Sequence, residues 1–175
     1  NGNFLHDLRY GIHYMYSYTN IVTNNHTENT RTGYALMQSK FLTVTNNRSV
    51  NDVNYGILLN FITKSTINNN TVIGVQNMRN SQMKHSKKSY KPEGKALFIY
   101  NSLFNEIHNN TLADSDMGIH LTAGSDDNTF TANAFINNNK QVKYVANRTQ
   151  DWSVGEQGNY WSDYLGWDMD GDGRG

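Results

Sequence analysis

Five asparagines constrain this chain more than any other feature. Asn25, Asn47, Asn70, Asn110 and Asn133 each stand three residues after a mostly apolar position (Val22, Val44, Ile67, Ile107, Phe130). Each stands two residues before a small or apolar one (Thr27, Ser49, Val72, Leu112, Phe135). The intervals are 22, 23, 40 and 23 residues, so one unit of strand, turn and strand recurs, once stretched by an insertion. A period that short leaves no room for a helix in each repeat, and the pattern predicts a solenoid of β-strands. When coils stack at the strand spacing of about 4.8 Å, identical Asn side chains hydrogen-bond from rung to rung while tolerating the left-handed backbone of a tight turn.

A second column, Gly11, Gly33, Gly56, Gly94 and Gly118, precedes the first by about 14 to 16 residues. Each glycine is followed by an apolar or alternating segment such as GIHYMY or GILLNF, and is expected to bend the chain where one face of the coil meets the next. A mean hydropathy of -0.72 taken alone would suit a disordered chain, but 12% aromatic residues and regular Ile, Val and Phe placement predict a narrow packed interior. Residues 1–148 read as five to six coils, roughly 25 Å of parallel β-helix at the strand spacing. Residues 149–175 read as a cap and an Asp/Gly-rich turn of the same domain. The opening Asn1-Gly2-Asn3-Phe4 resembles Asn24 to Thr27 one period later, so the sequence reads as a fragment that starts in mid-repeat.

Several chemistries are excluded early. The absence of cysteine removes thiolate metal sites and disulfides. Fifteen acidic against fifteen basic residues leave no net field for wholesale nucleic-acid binding. No apolar run is long enough to span a membrane directly. Asn-x-Ser/Thr sequons occur at Asn25, Asn47, Asn69, Asn109 and Asn147, four of them on or beside the Asn column, and read as by-products of the repeat.

Chemistry is expected where the repeat is interrupted. The insertion, residues 76–93, contains the only proline, five cationic residues, and Met78, Met83 and His85. Two thioethers and an imidazole on a loop suit Cu(I). A solvated basic loop, or one that docks another protein, fits the same residues. A weaker soft-metal candidate is His13 with Met15 and Met37, which the period places as neighbours on adjacent strands. Ordinary core packing is the alternative there. By the same count, position two after each glycine carries His13, Ala35, Leu58, Ala96 and His120, and position four carries Met15, Met37, Asn60, Phe98 and Thr122. His120 is four coils from His13, too far to join it.

The tail changes character: Tyr160, Trp161, Tyr164 and Trp167 suit a cover for the last coil, or a platform for stacking sugars. Asp168, Asp170 and Asp172, with Gly171 and Gly173 between and after them, match an oxygen-lined turn for structural Ca2+, or an unoccupied turn of the same composition.

The run GIHLTAGSDDNTFTANAFINNNKQVKYVANRTQDWS followed by GNYWSDYLGWDMDGDG, with RYGIHYMYS and EGKALFIYN upstream, resembles the C-terminal half of the NosD family. The tail and the repeat are shared with many β-helix proteins. The AGS, QVKYV and DWS segments are more particular. The resemblance implies a right-handed parallel β-helix that is exported to the periplasm. It implies a non-enzymatic role in nitrous oxide reductase maturation, scaffolding or assisting copper-centre assembly. The implied partners are the ATPase and membrane subunits of an ABC transporter, a copper chaperone and nitrous oxide reductase. The chain has no Walker A motif, so ATP hydrolysis would belong to a partner. The implied cofactor is transiently held copper, and no family motif assigns its ligands to particular residues.

Two other classes remain open. A carbohydrate-active β-helix enzyme would need paired carboxylates on neighbouring coils, for which Asp114, Asp116, Asp126 and Asp127 are the candidates, although solvated loop carboxylates are the simpler reading. A passive surface β-helix would predict no copper affinity at all.

Overall fold

A computed structural model describes residues 1–77, 93–122, 124–145, 148 and 150–166. Among these there is no helix, and the strands form a β-solenoid of three parallel walls. The first wall has seven strands: Phe4–His6, His26–Glu28, Arg48–Val50, Thr71–Ile73, Thr111–Ala113, Ala134–Ile136 and Tyr160–Trp161. The second has six, all but the last of them longer: Tyr10–Met15, Thr32–Met37, Tyr55–Asn60, Lys95–Tyr100, Met117–Leu121 and Val142–Tyr144. The third has five, Ile21–Thr23, Thr43–Thr45, Thr66–Asn68, Glu106–His108 and Thr129–Thr131.

The core is a set of columns, because each inward side chain lies directly over its equivalent on the next coil. Val22, Val44, Ile67, Ile107 and Phe130 line the third wall; Tyr34, Ile57, Leu97 and Ile119 line the second, all buried. Three-residue strands cannot hold a register by their own length. The corners hold it instead. Asn25 Nδ2 donates to Asn47 Oδ1 at 3.0 Å, and the Asn25 backbone N–H donates to the same oxygen at 3.1 Å. The pairing repeats from Asn47 to Asn70, Asn70 to Asn110 and Asn110 to Asn133, at 2.9 to 3.0 Å between side chains. The ladder is longer than the five expected rungs: Asn3 donates to Asn25 and Asn133 donates to Asn159.

Three details differ from expectation. The left-handed residue at this corner is the one before the ladder amide (Asn24, Asn46, Asn69, Asn109), leaving the ladder Asn free to point inward. The glycine column lies inside the strands of the second wall, at their second residue; the alternation breaks there, so Tyr10 and His13, three residues apart, bring their rings to 4.9 Å. Its glycines are required by space, with no left-handed φ among Gly11, Gly33, Gly56 and Gly118. A Cβ on Gly33 would lie 2.5 Å from Asp52 Oδ2 and 2.6 Å from Thr27 Oγ1. The fourth member of the column is Ala96 and not Gly94, because Lys95 pairs with Tyr55 and Met117. Counting through the insertion shifted that rung by two residues.

The other corners carry their own polar ladders. Ser17 N–H donates to Ser39 Oγ, Ser65 N–H to Asn105 Oδ1, and Asn105 Nδ2 to Asn128 Oδ1. At the corner between the first and second walls the acceptor is a fully buried carboxylate, Asp52. It accepts from Thr27 Oγ1, from both the N–H and Oγ1 of Thr30, and from Ser49 Oγ, at 2.6 to 2.9 Å. Burial raises its pKa above the usual carboxylate value despite these donors.

The last coil is covered by two indoles. Trp152 stacks on Phe130 with ring centroids 4.6 Å apart, and Trp161 stacks on Phe135 at 4.3 Å. Of the aromatics expected to form the cap, Trp161 does so, while Tyr160 and Tyr164 are exposed. Trp167 lies outside the described residues.

Candidate functional site

The second wall is the longest and turns alternate side chains outward, so it is where the repeat can display chemistry. Ile12, Tyr14, Tyr34 and Leu36 face the core; His13, Met15 and Met37 lie on the opposite face of the same strands. Met15 pairs with Met37 in the parallel register, and His13 pairs with Ala35. Core packing is therefore not what holds these methionines: Met15 is exposed and Met37 half-buried, on the outer face. Neighbouring strands put the two thioether-bearing Cα atoms about 4.8 Å apart, and His13 follows two residues along the strand at about 7 Å. Side chains of that length on one face can converge on a single soft ion. Among the described residues no group of three His, Asp or Glu is placed to hold a metal.

Following the same two outward columns along the wall gives Leu58, Phe98, His120 and Lys143 after Ala35, and Asn60 and Tyr100 after Met37. On the fourth coil the outward residues are thus Phe98 and Tyr100, where the glycine count had placed Ala96 and Phe98. His120 sits against Phe98, with ring centroids 5.2 Å apart, and its Nδ1 is buried without a hydrogen-bond partner. Burial, and then Lys95, Lys143 and Lys140, push its pKa down to about 4. A neutral imidazole is a competent ligand, but three lysines oppose a cation there, and His120 stays far from His13. Lys95 is itself held below the usual lysine value, chiefly by burial, with its Nζ donating to the Glu93 carbonyl at 3.0 Å and lying 5.5 Å from the Tyr55 and Phe98 rings.

The acidic candidates resolve into separate roles. Asp116 Oδ2 accepts the backbone N–H of Asn77 at 2.9 Å and of Gly94 at 2.8 Å. One carboxylate therefore ties together the two ends from which the insertion leaves the coil. Asp114 is an exposed left-handed turn residue whose carbonyl accepts from Gln76 Nε2. Asp127 lies 3.6 Å from the Arg148 guanidinium, and Asp126 is half-buried beside it. Asp116 departs from the simple reading of a solvated loop carboxylate.

Met78, Met83 and His85 lie outside the described residues, as do Asp168, Asp170 and Asp172. Sequence reasoning missed Asn159, the tie that Asp116 makes, and Trp152. The first was legible in GNYWSDY as one more Asn ahead of an aromatic strand, and the last stood in the DWS segment, where it served only as a resemblance. Nothing local marked that tie, whose partners lie 39 and 22 residues away.

A family model described as "Periplasmic copper-binding protein (NosD)" matches residues 1–166. The chain is 63% identical over 142 residues to a protein of Stutzerimonas stutzeri named "Probable ABC transporter binding protein NosD", covering 81% of this chain and 32% of that protein. It is 60% identical over 138 residues to a protein of the same name from Pseudomonas aeruginosa, covering 79% of this chain and 31% of the relative. The chain thus spans about a third of the length of these relatives.

Proposed function

Since this chain belongs to the NosD family, we propose that it acts in the periplasm as a non-enzymatic component of nitrous oxide reductase maturation, handling copper beside an ABC transporter. The family description supports periplasmic copper binding, and the relatives' names support a transporter partner. In this reading the solenoid presents copper on its outer face while the transporter's ATPase and membrane subunits supply the energy. The nitrous oxide reductase and a copper chaperone are the remaining partners. Inside the coil the ladder amides and Asp52 are committed to stacking, which leaves the outward columns and the insertion for function.

The observation that carries the copper reading is the register that sets Met15 on Met37 with His13 on the same face. Thioether and imidazole ligands favour Cu(I), bind it without a proton to lose from sulfur, and release it readily to a stronger site. A second contributor is the insertion with Met78, Met83 and His85, whose exit points are fixed by Asp116.

Cu(I) titration against a competing chelator tests this reading. The comparison is between the wild type, Met15→Leu/Met37→Leu, and Met78→Ala/Met83→Ala/His85→Ala. Leucine keeps the volume and removes the ligand, so a loss of uptake in the first variant reports coordination and not packing. Wild-type uptake in both variants would refute both proposed sites. Negligible uptake by all three proteins would refute copper binding by this chain while leaving a scaffolding role intact.

A further inference from the structure

At two of the solenoid's corners, left-handed backbone falls on residues that suit it. Between the third and first walls these are Gly2, Asn24, Asn46, Asn69, Asn109 and Ala132, and between the first and second walls Asp7, Asn29, Asn51, Gly74, Asp114 and Asn137. Asn, Asp and Gly occupy eleven of these twelve places, as physics prefers. The corner between the second and third walls is built differently. Its left-handed residues include Tyr16, Phe41, Phe61 and Phe104, each with φ between 53° and 57°.

A bulky residue in this region is strained, and burial does not offset the strain here. Tyr16 is 62% exposed, Phe41 47%, Phe61 48% and Phe104 53%. Tyr18 and Tyr100 are exposed beside them, and Phe61 meets Tyr100 edge-on at 5.7 Å. The stacked coils carry these rings along one edge, from the first coil to the fourth. Lys40 lies over both Tyr18 and Phe41, at 5.3 and 5.6 Å from the ring centroids, and Lys64 stands exposed in the same left-handed column as Phe41 and Phe104. Residues 15–20, 38–42, 60–65 and 100–105 include these two lysines and no carboxylate.

We infer that this edge is a docking surface for a partner protein presenting apolar side chains flanked by carboxylates. Three observations select that occupant. The edge is basic and aromatic in a chain of zero net charge, so its complement is acidic and apolar. Its surface holds a shallow, open depression among Tyr18, Gln38, Lys40, Phe61 and Thr63, where a partner's side chain can seat. Backbone pairing is ruled out as the mode, because the corner amides are already used between coils: Tyr16 N–H donates to Met37 O, Phe41 N–H to Thr63 O, and Phe61 N–H to Tyr100 O. Recognition therefore runs through side chains, over about 14 Å of stacked coils, matching two to three turns of a helix. The inference does not depend on copper.

The test exploits the strain. Replacing Phe41, Phe61 and Phe104 by Asn puts the residue that tolerates left-handed backbone at each place, so the fold is kept while the rings are lost. A phage-displayed dodecapeptide library is panned on the wild-type chain, and selected peptides are titrated against it, the triple Asn variant and Lys40→Glu/Lys64→Glu. Expected are acidic peptides with apolar anchors, each variant binding them more than about tenfold more weakly, and thermal midpoints within a few degrees of wild type. Peptides that bind the variants as tightly as the wild type would overturn the proposal. So would failure to enrich any acidic apolar peptide, or binding confined to phosphatidylglycerol vesicles or to glycans. A steep fall in the thermal midpoint of the triple Asn variant would make the rings structural and refute it equally.

Discussion

A single carboxylate shows how far a residue can depart from its column's chemistry. The place held by Asp52 is filled elsewhere on that corner by Ser115 and Asn138, which accept the same kind of backbone N–H without a charge. Asp52 accepts four hydrogen bonds and has no cation as a partner among the described residues, and its pKa stands above the unfolded value because it is buried. A carboxyl whose folded pKa is raised stabilises the fold fully below its unfolded pKa, near 4, and that contribution is lost as pH rises through the folded value. Asp52→Asn keeps the shape and the acceptor for Thr30. Its thermal midpoint is therefore expected to exceed that of the wild type by an amount that grows from pH 4 to pH 7, as measured by circular dichroism melts in matched buffers. An unchanged difference across that range would mean that Asp52 is not titrating. None of this was legible in sequence, where Asp52 follows an Asn in an ordinary polar turn.

At the scale of an element, the rung is the unit of stability. Each ladder Asn uses its carbonyl oxygen for two donors of the coil before it and its amide to reach the next rung and a buried carbonyl, as Asn70 Nδ2 does to Asn110 Oδ1 and Val44 O. Asn70→Ala would strand the Asn47 N–H and the Val44 carbonyl in a buried site, a loss of about 2–4 kcal/mol from two or more unsatisfied groups. Denaturant titration of that variant measures it, and a loss below about 1 kcal/mol would show that the amides decorate the stack without holding it. The ladder was readable beforehand because identical side chains at a fixed period have one economical use. What eluded sequence reasoning was register across the insertion: with 40 residues between rungs, Gly94 offered itself as the column residue, and only the pairing of Lys95 with Tyr55 shows that Ala96 fills that place. The outward direction of Met15 and Met37 was likewise open, since alternation fixes that two residues share a face and leaves undetermined which face is inside.

For the molecule as a whole, the stack ends against Trp152 and Trp161, whose rings lie 5.8 Å apart over Phe130 and Phe135. A solenoid gains its stability between neighbouring coils, so the terminal interface is its weakest place. Trp161→Ala should cost about 3–5 kcal/mol locally and fray the last coil before the rest. Hydrogen exchange would show early loss of protection in residues 129–136 while 43–60 stay protected. Uniform loss would mean that the coils unfold together. The tail's aromatics announced a cap, but the cap uses the indoles and leaves Tyr160 and Tyr164 exposed, because only flat rings placed over Phe130 and Phe135 can close the column.

Asp116 gives the interrupted coil a hinge-free doorway. The chain departs at Asn77 and returns at Gly94, both amides bound to one oxygen, and Asn70 finds Asn110 as though nothing lay between them. The scaffold is therefore indifferent to what passes through that doorway. A segment of another length or charge between Asn77 and Gly94 would leave both rungs in place, which makes this position a cassette that can be exchanged while the architecture stays constant.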